Sequence, residues 1–383
     1  MDDQRRTRQA LLRQRLGREG LSGLIVTHPA NIRYLTGFTG SSGVALVFPD
    51  ETVLVTDTRY EAQAPRDVGD CARTEVVRAD LWERVGREVQ RAEGRVQGAG
   101  NRVQRAEGRV QSGEEAWGLE AESVTVATAQ KLADLGLSRL KPVTGLVEDL
   151  RAVKDAGEIA AIRAAAQLAQ EALVAALPAI RVGARELDVA AALESALRIR
   201  GSEWHPFPTI VASGPRSALP HARSSDRVIG RDELVLLDFG AQVGGYCADL
   251  TRVVVAGRAD ARQRAMHALV AEAQQAAING LRAGMSGREG DALARRVIEV
   301  RGFGAAFGHS LGHGLGLEVH EGPRLSYASE AALPQGCVVT VEPGVYFPGW
   351  GGIRLEDDVL LTDEGAELLS DGRTALLSLD PSN

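Results

Sequence analysis

Two rhythms of apolar and polar positions alternate along the chain. Residues 4–20 place apolar residues at helical spacing among arginines, which predicts an amphipathic helix. Leu21–Val26, Val44–Phe48 and Thr52–Val55 are short β-rich runs bounded by Gly, Pro and Ser, so they are predicted as strands. From Asp155 to Leu177, Ala, Ile and Leu recur with helical period until Pro178 stops them. Further helices are predicted over Glu186–Arg200 and Arg262–Ala283. Strand-like runs return at Thr209–Ala212, Leu234–Phe239, Leu250–Val255, Val338–Val341 and Asp358–Leu361. This pattern predicts an α/β domain over 1–135, a connector over 136–154 and an α+β domain over 155–383.

One stretch breaks both rhythms. The nine residues VQRAEGRVQ stand at Val89–Gln97 and again at Val103–Gln111. Two copies are too few for a solenoid, and Gly94, Gly98, Gly100 and Gly108 interrupt a helix. The expectation is an inserted, exposed hairpin or loop. A partner-binding arm is the alternative.

Bulk properties narrow the class. The 383 residues suit two domains. A net charge of −7 leaves no electrostatic footprint for nucleic acid. No apolar run approaches the ~20 residues that span a bilayer, so no membrane is expected. The first twenty residues are charged and lack the apolar core of a secretory signal. The three cysteines, Cys71, Cys247 and Cys337, are far apart and odd in number, which points to a reducing cytoplasm.

Candidate chemistry gathers in the last 150 residues or so. Asp238, Asp249, His313, Glu342 and Glu356 each sit in a short motif: LLDFGAQVGGYCADLTR, FGHSLGHGLGLEVHEGP, VTVEPGVY and GGIRLEDD. Asp238 ends an apolar run, and an antiparallel return after Gly244–Gly245 brings Asp249 back beside it. Each residue alone reads as an ordinary turn or core residue. Together they read as a cage for divalent cations, because four buried carboxylates are very costly without compensating charge. His221, His309 and His320 lie nearby in sequence. Arg354, two residues before Glu356, shares its strand face and either pairs with a carboxylate or binds substrate. His28, His205 and His267 fall in no motif and read as structural.

These motifs resemble those of the pita-bread metallopeptidases: methionine aminopeptidase, aminopeptidase P and prolidase. The shared features are Asp-x10-Asp, Gly-His-Gly-x-Gly with His-Glu seven residues after its His, and Glu-x13-Glu. THPANIRYLTGFTGSSG and TDTRY extend the resemblance into the N-terminal part, which points to the proline-specific branch. The resemblance implies an α/β creatinase/prolidase-like N-terminal domain and a pita-bread catalytic domain. It implies two divalent metal ions, Mn²⁺ first and Co²⁺ or Zn²⁺ as alternatives. Asp249 and Glu356 bridge them, Asp238 holds one ion, and His313 with Glu342 holds the other. A metal-bridged hydroxide attacks, with Glu342 as general base, while His221, His309, His320 and Arg354 contact substrate. The expected activity is an Xaa-Pro aminopeptidase acting on proline-containing peptides, with an Xaa-Pro dipeptidase as the close rival and Arg33, Arg59 and Arg354 as candidates to capture a carboxylate. A homodimer is expected, with the TGFTGSSG segment reaching the partner. A metal-free creatinase-like hydrolase or a binding module on this fold is expected to lack metal ligands, and all five are present here.

Overall fold

The computed structural model describes residues 2–92, 116–372 and 375–379. They divide into two compact units, Met1–Arg151 and Ala152–Asn383.

The first unit is built on a six-stranded mixed sheet. Helix α1 (Asp2–Arg18) leads into β1 (Leu21–Val26), α2 (Pro29–Thr36), β2 (Gly43–Val47), β3 (Thr52–Asp57), α3 (Ala64–Val68) and β4 (Arg73–Val77). Helix α4 (81–92), β5 (Ala116–Glu120), α5 (Val126–Asp134), β6 (Leu140–Val143) and α6 (Glu148–Ala152) complete it. The strand order is β4-β3-β2-β1-β5-β6. Ile25, Leu46 and Val55 pack with Val85 and Val89 of α4 and Leu132 of α5 into one apolar cluster.

The expected connector over 136–154 is mostly part of this unit. Leu140–Val143 pairs in parallel with β5, because extended residues beside an open strand edge satisfy their backbone by adding to the sheet. The expected loop at the first repeat copy also needs correction at its start. Residues 89–92 belong to α4, and the Val89 side chain is fully buried. The rest of the first copy and all of the second lie outside the described residues.

The second unit twice runs a helix pair and then strands. Helices α7 (Ala156–Ala176) and α8 (Glu186–Ile199) precede β7 (Ile210–Ser213), β8 (Glu233–Phe239), β9 (Gln242–Val243), β10 (Tyr246–Cys247) and β11 (Leu250–Ala256). Helices α9 (Ala261–Gly280) and α10 (Gly287–Val300) precede β12 (Gly312–Gly314), β13 (Glu321–Leu325), β14 (Val338–Val341), β15 (Gly344–Phe347), β16 (Gly351–Arg354), β17 (Asp357–Leu361), β18 (Ala366–Leu368) and β19 (Leu377–Ser378). While β9 pairs with β10 and β15 with β16, a four-stranded sheet has the order β19-β11-β8-β7 and a five-stranded one the order β13-β12-β14-β17-β18. A bridge between Thr251 and Glu356 ties them together.

Each long helix starts where its sequence says it should. Asp155 with Glu158, Asp260 with Gln263 and Ser286 with Glu289 form reciprocal caps on α7, α9 and α10. By length and composition the stretch Ala156–Ala179, which contains α7, is apolar enough to cross a membrane. Its alanine face, Ala165, Ala169, Ala172 and Ala176, packs with Leu193 of α8 and Leu237 of β8 in a buried core. Small side chains let the helix lie close to its neighbours.

Candidate metal centre

Asp238 stands near the end of β8, after four buried apolar residues. The β9–β10 turn uses Gly244 and Gly245, both with positive φ of 58° and 84°, a pair of conformations that suits glycine. The chain then returns antiparallel on β11, with Thr251 opposite Asp238. Asp249 immediately precedes that strand and is 5% exposed.

His313 is the middle residue of β12, a three-residue strand squeezed between β13 and β14. A Cβ at Gly312 would lie 2.0 Å from the Thr340 carbonyl oxygen, and one at Gly314 would lie 2.2 Å from that of Gly322. Only glycine permits this approach. The Thr340 hydroxyl receives the His313 backbone N–H at 3.1 Å and donates to Glu342 Oε1 at 3.2 Å. With His313 Nδ1–H donating to the Gly314 carbonyl at 3.1 Å, Nε2 keeps its lone pair for a metal. That Nε2 lies 3.4 Å from Glu342 Oε1 and 3.8 Å from Asp249 Oδ2.

Donor atoms of Asp249, His313 and Glu356 all lie within 4.8 Å of one another. Asp238 and Glu342 line the same cavity of about 430 Å³, together with His221, His309 and His320. All the motif residues expected at the centre therefore meet in one place. His28, His205 and His267 do not line it.

The electrostatics are those of closely packed, buried carboxylates. Burial pushes Glu342 up to about 7. Asp249 and Glu356 rise well above the carboxylate range, first through burial and then through repulsion from their neighbours, Glu356 and Glu342 respectively. Burial also raises Asp238, although Arg354 opposes it. Burial, then His320, lowers His313 to about 4, so its ring is neutral at pH 7. Among the described residues, Asp249 Oδ1 is buried without a hydrogen-bond partner. An oxygen-rich donor set with one neutral imidazole and an orphaned buried carboxylate oxygen fits hard or borderline divalent ions.

Arg354 is largely committed. Its Nη2 donates to Asp238 Oδ2 at 2.5 Å, Nε to the Thr251 hydroxyl at 3.0 Å and Nη1 to the Tyr346 hydroxyl at 2.9 Å. Burial works against its charge, but Tyr346, Asp238, Glu356 and Glu342 hold its pKa well above the usual value. His309 Nε2 also meets the Tyr346 hydroxyl, at 3.0 Å.

Several residues here escaped the sequence reading. Thr251 donates to Glu356 Oε2 at 2.5 Å, and Asp358 Oδ2 accepts the Asp249 backbone N–H at 3.2 Å. Asp358 had a legible signal, since it alternates with Glu356 along one strand face. Arg324 is exposed, lines the cavity and sits opposite His313 in the β12–β13 ladder. Among the described residues its guanidinium closes no ion pair. Nothing in its sequence context marks it. Of the other arginine candidates, Arg59 pairs with Asp57 at 2.7 Å and Arg33 lies on α2.

Two sheets meeting at four carboxylates and an imidazole define a metal-dependent hydrolase. The chain belongs to Metallopeptidase family M24, whose profile matches residues 160–363, and it carries the Creatinase/Prolidase N-terminal domain over residues 8–153. The fold is accordingly a creatinase-type α/β domain followed by a pita-bread catalytic domain, and the family implies divalent metal ions. The chain is 39% identical to an uncharacterized peptidase, YqhT, of Bacillus subtilis (strain 168), over 96% of this chain and 99% of that protein. Among solved structures it resembles the Xaa-Pro dipeptidase from Bacillus anthracis, with a TM-score of 0.88 and 36% identity over 97% of this chain and 99% of that one. It also resembles the X-Pro aminopeptidase from Thermotoga maritima MSB8, with a TM-score of 0.85 and 35% identity over 96% and 99%.

Proposed function

We propose that this metallopeptidase is an exopeptidase hydrolysing the bond between an N-terminal residue and a following proline. The observation that carries the reading is the convergence of the five ligands and three histidines on one cavity. The names of the two similar solved structures support the proline specificity. A bond before proline has no N–H and a rigid ring, so it calls for a dedicated cleft.

In this reading Asp249 and Glu356 would serve both ions, Asp238 would help to hold one, and His313 with Glu342 would help to hold the other. When bound, the ions, Mn²⁺ by preference and Co²⁺ or Zn²⁺ as alternatives, supply Lewis acidity and lower the pKa of water. Glu342, a carboxylate lining the same cavity, is the residue assigned to take and return a proton. His221 and His320 donate to the scissile carbonyl and its developing oxyanion. His309 holds the Tyr346 hydroxyl, which in turn meets Arg354. Arg354 steadies Asp238 rather than gripping substrate, because three of its nitrogens are already engaged.

The leading reading is an aminopeptidase that accepts chains beyond proline. Arg324 favours the second, a dipeptidase, since an exposed guanidinium at the cavity suits a free carboxylate. We propose further a cytoplasmic homodimer in which the TGFTGSSG segment reaches the partner; the three buried free cysteines fit that compartment. The test is kcat/KM of the Mn²⁺-loaded protein on Xaa-Pro, Xaa-Pro-Xaa and Xaa-Ala-Xaa, with light scattering on the same sample. Cleavage of Xaa-Ala-Xaa as fast as Xaa-Pro-Xaa refutes the proline reading. Activity on Xaa-Pro alone that Arg324→Ala abolishes selects the dipeptidase. A fully active monomer refutes the dimer.

A further inference from the structure

Glu356 and Asp358 face the metal cage, so strand alternation turns Asp357, between them, to the other side of β17. There it is 1% exposed, yet it is not an idle charge. Its Oδ1 accepts from Arg252 Nη2 at 2.7 Å and from the Ser370 hydroxyl, and its Oδ2 accepts from Gln274 Nε2 at 3.0 Å. Arg252 comes from β11 and Gln274 from α9, and both are buried.

Further hydrogen bonds from these two residues go to backbone carbonyls beside the ligands. Arg252 Nη1 donates to the Glu356 carbonyl at 2.5 Å and to the Thr251 carbonyl, two residues after Asp249, at 3.0 Å. Gln274 Nε2 donates to the Val341 carbonyl, in the peptide bond leading into Glu342, at 3.2 Å. One buried network therefore grips the main chain next to Asp249, Glu342 and Glu356, which flank separate strands: Asp249 precedes β11, Glu342 follows β14 and Glu356 precedes β17. None of its members points into the cage.

We infer that Gln274 and Arg252, joined through Asp357, are positioning residues that fix the spacing between these three ligands and thereby the affinity for metal. The inference rests on the reading of the cage as a metal centre. A ligand set held rigidly at the right spacing binds more tightly, and loss of an outer support typically costs tenfold to a hundredfold in metal affinity. Gln274 is the cleaner probe, because it is neutral and its loss leaves the Arg252–Asp357 pair intact. Ser370 is the control: it bonds Asp357 but reaches none of the three carbonyls.

The experiment loads full-length wild type, Gln274→Met and Ser370→Ala with Mn²⁺ and titrates each with a competing chelator. Retained metal is read by elemental analysis. Gln274→Met is expected to release metal at about tenfold to a hundredfold lower chelator concentration, and Ser370→Ala at close to the wild-type value. If Gln274→Met does not fold, Gln274→Asn, too short to span Asp357 and Val341 together, replaces it with the same expectation. Wild-type retention in the Gln274 variant, or an equal loss in Ser370→Ala, overturns the inference. A wild type that holds no Mn²⁺ under any loading condition overturns the metal reading beneath it.

Discussion

His313 and His309 stand four residues apart and do different work. His313 directs Nε2 at Asp249 and Glu342, so His313→Ala is expected to remove a metal ligand and most of the activity. Metal content should fall by about half on two-ion occupancy, with the far-UV circular dichroism of the wild type. Full activity with undiminished metal would sink the assignment. His309 turns to Tyr346 instead, and burial lowers its pKa to about 4. The unfolded chain takes up this proton below about 6.5 while the folded protein resists it until about 4. The stability attached to a neutral His309 is therefore complete above pH 6.5 and drains away as pH falls towards 4. Relative to His309→Gln, the wild type should lose on the order of 2 kcal/mol between pH 7.5 and 5. Urea unfolding at the two pH values measures this, and a difference that stays flat or grows on acidification contradicts it. At this scale the ligands were legible, because each sits in a distinctive motif. Arg324, Tyr346 and Gln274 were not, because ordinary side chains acquire their roles only when a ladder or helix face delivers them.

Among the elements, the strands that carry carboxylates were easy to read. The run before Asp238 is apolar and the run before Glu342 is β-branched, and β8 and β14 form close to where those runs lie. The strand that carries the imidazole was not. β12 reads Gly-His-Gly, which has no strand propensity, and it exists because its neighbours on both sides supply the ladder. α10 was missed as well, since its glycines and charges mask the period, although the Ser286–Glu289 cap was visible. The tight seating of β12 makes a specific demand. Gly312→Ala puts a methyl against the Thr340 carbonyl and should cost about 1–3 kcal/mol of stability. It should also push His313 away from Glu342, with at least a tenfold fall in kcat/KM, about 1.4 kcal/mol at the transition state. Denaturant unfolding and steady-state kinetics test the two effects, and a variant neutral in both would mean that β12 is not held as tightly as described.

For the whole molecule, the domain count followed from length, while the boundary was placed too early. β6 has a proline, and two of its four residues, Lys141 and Pro142, are exposed, so its sequence looks like a linker, and only the open edge of β5 makes it a strand. The duplicated segment poses a sharper question. Deleting Gly98–Gln111, one repeat unit, should leave kcat/KM unchanged and shift stability by no more than about 1 kcal/mol, because loop closure depends only on the logarithm of length. A deletion variant that folds but loses most of its activity would assign the repeat a functional role. Val89, buried on α4, gives this deletion an unusual property. Removing residues 89–102 instead of 98–111 yields the same amino-acid sequence, since either copy then follows Glu88 and precedes Ser112. The core valine is thus encoded twice. An in-frame slip that erases either copy restores Val-Gln-Arg-Ala behind Glu88, so the insertion can be lost from a lineage in one genetic event without α4 losing the residue that seats it.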